Sequence, residues 1–264
     1  MKKTLTTMLI FLSLALILGL LAGRSLLAQT ADMSVANSLA ANGRYAEAAQ
    51  AYQQLIDQGA ADSAVYYNLG NAYMRLGNVG QAIVNYQRAA RLDPRDPDIQ
   101  ANLAAARAQA IDQFPAETGS PLDNFAVAAS RVASINEMAL LALGLWFGFG
   151  LLWFIYRQSQ HGRKRDMLQF GVSLAGLLVV LAVSALGSRL VVENGRQSGV
   201  IVADTVSVSA EPSANMNTDF DLHNGAEVTI SQQRGSWVQV SLPGGQVNGW
   251  VPVEAIEPII YPAS

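Results

Sequence analysis

Histidine, cysteine and clustered carboxylates supply most protein chemistry, and this chain offers few of them in useful company. His161 and His223 are its two imidazoles. One stands in a basic stretch and the other about sixty residues further on, too isolated for a histidine metal centre. The absence of cysteine removes thiol catalysis, disulfides and thiolate metal sites together. Asp57, Asp62, Asp93, Asp96 and Asp98 are scattered through stretches that read as turns and helix starts, where carboxylates act as caps. No nucleophile stands beside a base, and neither a phosphate-cradling loop nor a ligand cluster is present. The chain therefore reads as a non-enzyme without catalytic residues, metal or cofactor.

The composition turns attention to membranes and surfaces. With 51% hydrophobic and only 14% charged residues, the chain is more apolar than a typical soluble enzyme. Its charge is uneven: the stretch from Val191 to Ser264 is acidic with Arg196 and Arg234 as its cations, whereas Arg157 to Arg165 is basic without an acid. An acidic surface of this kind excludes nucleic acid as a partner.

Lys2 and Lys3 ahead of the apolar run Met8 to Ala22 read as an export signal, cleaved after Ala28 or retained as an anchor. Met138 to Tyr156 carries no charge, and at about 1.5 Å per residue it reaches roughly 28 Å, enough to cross a hydrocarbon core. Met167 to Gly187 is equally uncharged and also spans. The loop between them holds Arg157, Arg163, Lys164 and Arg165, which places it in the cytoplasm and both flanking regions outside. Trp146, Phe147, Phe149, Trp153, Phe154 and Tyr156 read as lipid-contact and interfacial residues. Gly144 and Gly148 form a notch whose expected use is pairing with the second span, with another membrane protein as the alternative. Neither span carries an ionisable group, which argues against transport.

Ahead of the spans the sequence repeats with a period of 34 residues. Tyr66, Leu69, Gly70, Tyr73, Gly77, Ala82, Tyr86, Ala89 and Pro94 have the spacing of the tetratricopeptide repeat, which this segment resembles. Gly43, Ala48 and Tyr52 mark a degenerate copy before it, and Asn102 and Leu103 begin a capping helix after it. The resemblance implies a concave protein-binding face presenting Asn37, Tyr67, Asn71, Met74, Arg75 and Ala101. For Asn68 and Asn71 a purely local hydrogen-bonding role stands beside it. The basic pair with which some relatives hold a terminal carboxylate is missing, since Met33 and Asp98 occupy those positions.

Beyond the spans, alternating runs at Thr205–Val208, Glu227–Ile230 and Trp237–Leu242 are expected to be strands. Pro243-Gly244-Gly245 supplies a turn before Asn248-Gly249-Trp250-Val251. Val206, Val228, Ile230, Val238, Val240 and Val251 are the expected core. Together with Leu222-His223-Asn224-Gly225, read as a turn, these motifs resemble the bacterial SH3 domain over Val200 to Ile256. Trp237 and Trp250 are a possible ligand platform for peptide or peptidoglycan, although closing the core is the favoured reading.

The fold expected is a multidomain membrane protein with all-α tetratricopeptide hairpins, a transmembrane helical hairpin and a C-terminal all-β SH3-like barrel. In order these are a signal over 1–28, repeats with a capping helix over 32–112, a linker over 113–137 and spans over 138–156 and 167–187. The cytoplasmic loop occupies 157–166, a second linker 188–198 and the barrel 199–258. This order, with Asn136-Glu137-Met138-Ala139 leading into the first span, resembles the BatE family of the bacterial aerotolerance operon. The resemblance implies an inner-membrane scaffold for other membrane proteins with von Willebrand A domains and for a MoxR-type ATPase, in envelope stress tolerance. A peptidoglycan-binding role for the barrel is the alternative.

Overall fold

The computed structural model describes residues 33–60, 62–114, 133–159, 162–195, 197–212, 218–242 and 248–260. The expected export signal, the Pro243-Gly244-Gly245 turn and His161 lie outside them. The chain divides into two compact units. One contains the helices of Ala133–Val191; the other unites the described residues of Gln29–Val132 with those of Val192–Ser264.

The second unit opens with five helices: α1 (Ser34–Ala41), α2 (Tyr45–Asp57), α3 (Ser63–Arg75), α4 (Val79–Leu92) and α5 (Pro97–Gln109). Their ends follow from local chemistry. The Asp62 carboxylate accepts the Val65 N–H at 2.8 Å, and Asp96 caps α5, which has Pro97 in its first turn. Gly43 and Gly77, one repeat apart, close α1 and α3 in left-handed conformation, with φ of 74° and 79°. In both, the following residue donates back across the last turn, Arg44 to Leu39 and Asn78 to Tyr73. Ala48, Tyr52, Leu69, Ala82, Tyr86 and Ala89 are buried between the helices. A Cβ at Gly70 would sit 2.7 Å from Tyr86 Cε1, so a glycine is what lets the tyrosine lie against α3.

The same unit contains seven antiparallel strands: β1 (Gln197–Ile201), β2 (Thr205–Ser209), β3 (Thr218–His223), β4 (Glu227–Arg234), β5 (Trp237–Ser241), β6 (Asn248–Pro252) and β7 (Ile256–Pro258). Their order across the sheet is β3-β2-β6-β5-β4-β1-β7. Val206, Val228, Val238, Val240 and Val251 form its core, with Ile230 packed against it, as the alternation predicts. Strands β1, β3 and β7 were not foreseen in the sequence. Leu222 and His223 end β3, and the turn is confined to Asn224 and Gly225.

Repeats and sheet are packed together. Val200 and Ile259 share a buried cluster with Ile83 and Val84 of α4 and Leu103 and Ala106 of α5. Arg88, 8% exposed, pairs with Glu257 at 2.8 Å and donates to the carbonyls of Pro258 (2.7 Å) and Ile259 (3.2 Å). Glu227 accepts from Arg107 (2.6 and 2.9 Å) and from Gln87 (2.7 Å). As the chain leaves α5, the Asp112 carboxylate accepts the His223 N–H at 2.6 Å and Phe114 packs on the barrel core. The Ala-rich capping helix α5 covers one part of α4, and strands β1 and β7 cover another. These polar contacts come from α4, α5 and the segment after α5, and Arg88 also lies 5.9 Å from the ring of Tyr66 in α3.

In the first unit, α6 (Ile135–Gln158) and α7 (Arg163–Gly195) both extend past the uncharged stretches. Ser134 and Glu137 form a reciprocal capping box that starts α6, while α7 continues through Leu190-Val191-Val192 into the stretch expected as a linker. By length and composition both can cross a membrane, with mean hydropathies of 2.1 and 2.3. Phe147 and Phe154 are largely exposed, as lipid-facing residues would be. The notch at Gly144 and Gly148 is not where α7 approaches, since a Cβ at either would meet nothing within 4 Å. The close approach is at Gly176, where a Cβ would lie 3.3 Å from Phe149. A flat ring set against a glycine occupies that crossing instead.

Candidate functional site

The described repeats carry a groove along α1, α3 and α5, made of two adjoining depressions. The first, ≈ 300 Å³, is lined by Asn37 and Ala40 of α1, Tyr45 and Tyr52 of α2, and Asn68, Asn71, Ala72 and Arg75 of α3. The second, ≈ 400 Å³, is lined by Asn71, Met74, Arg75, Tyr86, Asn102 and Ala105. Asn71 and Arg75 belong to both.

The groove floor is a repeated hydrogen-bond unit. Tyr52 donates its phenol to Asn37 Oδ1 at 2.6 Å, and one repeat later Tyr86 donates to Asn71 Oδ1 at 2.8 Å. Asn102 Nδ2 adds a second bond to Asn71 Oδ1 and one to the Tyr67 hydroxyl, each 3.0 Å. These donors fix the orientation of both amides: the oxygens are engaged below, and the Nδ2 groups of Asn37 and Asn71 have no partner among the described residues. Burial raises the Tyr52 phenol and pushes that of Tyr86 well above the usual range, where neighbouring Tyr67 adds to the shift. Both stay neutral donors.

Of the residues expected on the concave face, Asn37, Asn71, Met74 and Arg75 line the depressions. Tyr67 lies just behind, bonded to Asn102 with its ring 6.0 Å from that of Tyr86, and Ala101 is exposed but lines neither depression. Tyr45, Tyr52, Asn102 and Ala105 were missed. The period could have found the last two, since they stand 34 residues beyond Asn68 and Asn71.

The tryptophans of the sheet lie on the face opposite its core. Trp250 is 4% exposed, and the guanidinium of Arg234 sits 5.2 Å from its ring centroid. It is thus a capped ring rather than an open platform, and it belongs to the outer face rather than to the core valines. Trp237 is half-buried, in register with Arg234 on one side and Pro252 on the other. Gln232 Nε2 donates to Gln239 Oε1 at 2.8 Å on the same face, where Gln239 pairs in register with Trp250. Among the described residues no cluster of three or more potential metal ligands occurs.

Residues 36–77 and 70–110 match the TPR repeat family, and residues 187–257 match the GW (Gly-Tryp) dipeptide domain family. The second contains Gly249-Trp250. A comparison with curated proteins gives no match. The chain thus joins tetratricopeptide repeats to a bacterial SH3-like domain of GW type, with two apolar helices between them in sequence. Both modules are of the interaction and binding type found in adaptors and scaffolds.

Proposed function

We propose that this protein is a membrane-anchored scaffold whose repeat groove holds a segment of a partner protein on the outer side of the membrane. The observation that carries it is the open groove with its outward amide donors, on repeats whose other face is already occupied by the SH3-like domain. The Nδ2 groups of Asn37 and Asn71 suit the main-chain carbonyls of an extended segment. Anchoring raises the effective concentration of partners in the same membrane.

Topology supports the same reading. The sequences before and after the two apolar helices form one compact unit, and two crossings leave them on one side. The basic residues between the helices favour the cytoplasm for the loop, which puts the modules outside. The BatE resemblance supplies candidates for the partners: membrane proteins with von Willebrand A domains and a MoxR-type ATPase system, in envelope stress tolerance.

Affinity capture of the full-length protein from membranes, beside a version with Asn37→Asp and Arg75→Glu, tests the scaffold reading. Recovery of the same partners with both versions would overturn the groove as their site.

A wall-binding role is the second reading, favoured by the GW match and by the outer face on which the half-buried Trp237 and Gln239 lie. Co-sedimentation of detergent-solubilised full-length protein with purified sacculi tests it. Protein that stays in the supernatant would sink it.

A further inference from the structure

Arg75 gives the groove a chemical preference. Arg44, Arg88 and Arg107 each have a carboxylate at bonding distance: Glu47, Glu257 and Glu227. Arg75 has none among the described residues. It is exposed, borders both depressions, and lies with its guanidinium 6.0 Å from the Tyr45 ring centroid. No carboxylate lines either depression, so the charge of the groove has a single sign.

We propose that the groove selects an acidic protein segment, with an aspartate or glutamate side chain seated on Arg75. This rests on the groove being the partner site and names the chemistry it prefers. Three features support it. The ring of Tyr45 holds the planar guanidinium near one position, which lowers the ordering cost of a two-point contact with a carboxylate. The neighbouring Ala40, Ala72 and Ala105 leave room for the incoming side chain. The Nδ2 groups of Asn37 and Asn71 are donors, so like Arg75 they favour acceptors, main-chain carbonyls and the acid itself alike. Because Arg75 is solvent-exposed, its pairing adds selectivity of about fivefold rather than the bulk of the affinity.

The test uses full-length protein in detergent micelles and three degenerate decapeptide libraries with glutamate, glutamine or lysine fixed at one central position, each labelled for fluorescence anisotropy. The expected result is about fivefold tighter binding of the glutamate library than of the glutamine library. Arg75→Ala should remove that difference, and Arg75→Glu should shift preference to the lysine library. Arg75 is exposed in the last turn of α3 beside the Tyr45 ring, and an unchanged thermal midpoint for each variant separates lost binding from lost folding. Equal binding of the glutamate and glutamine libraries by the unaltered protein overturns the acidic preference and leaves the groove reading standing. Failure of all three libraries to bind overturns both.

Discussion

The side-chain oxygen of Asn224 accepts the backbone N–H of Gly80 at 2.5 Å, so a residue of the turn between β3 and β4 caps helix α4 across 144 positions of sequence. Asn78, the residue that precedes α4, makes no side-chain cap bond of its own. Asn224 is held for the task because its Nδ2 donates to the Val202 carbonyl at 2.8 Å. One of the donors every helix leaves unpaired at its start is thereby satisfied from another module.

Asn224→Ala should therefore loosen the first turn of α4 although it changes nothing in the helix itself. A cost of about 1 kcal/mol is expected, read as faster amide exchange at Gly80 to Ile83. Gly80→Ala should also destabilise, against the helix preference for alanine of about 1 kcal/mol. The added Cβ would press on the Ile201 carbonyl, which is backbone and cannot swing aside.

Arg88 is the deepest polar link between repeats and sheet. Arg88→Ala would remove the guanidinium that pairs with Glu257 and donates to the carbonyls of Pro258 and Ile259. A loss of about 3–5 kcal/mol is expected, measured as a lower urea midpoint together with new proteolytic cleavage near β7. Arg88→Lys should recover only part of it, because one ammonium cannot reproduce the fork.

Alkaline pH should weaken the repeats. Tyr52, Tyr66, Tyr73 and Tyr86 all have pKa values raised in the folded protein, chiefly by burial. Each neutral phenol then contributes stability that is complete below the unfolded value of about 10 and is lost as pH rises through the folded value. Urea midpoints should be flat from pH 7 to 9 and fall above about pH 10. Tyr86→Phe should flatten that fall while costing about 1 kcal/mol at neutral pH through the lost bond to Asn71.

The cysteine-free sequence makes topology directly measurable. With Lys164→Cys and Gln233→Cys made singly, an impermeant maleimide added to intact cells or spheroplasts should label only the second. Labelling of the first would reverse the topology.

Much of this architecture is local and therefore legible without a structure. Gly43, Gly77, Ala82, Ala89 and the tyrosines fall at repeat spacing because each residue serves a contact within its own helical hairpin. The uncharged stretches reveal the two long helices, and alternation reveals β2, β4, β5 and β6. The remaining strands carry weaker signals: β3 mixes acids with its apolar residues, and β7 is only three residues long. Asn37, Asn71, Met74 and Arg75 were readable as groove residues through the resemblance to the tetratricopeptide repeat, whereas Tyr45 and Tyr52 enter from the neighbouring helix α2.

By itself the sequence determined the repeat helices, the two apolar helices and strands β2, β4, β5 and β6, because turns and hydrophobic period act between residues close in the chain. Only the tertiary structure decided that the repeats and the sheet are one unit, that Arg88 finds Glu257 and that Asn224 finds Gly80. It also decided that Trp250 lies beneath Arg234 while Arg75 stays open to the groove. Those pairings join residues whose identities carry no periodic signal, and their partners are fixed by how two surfaces meet.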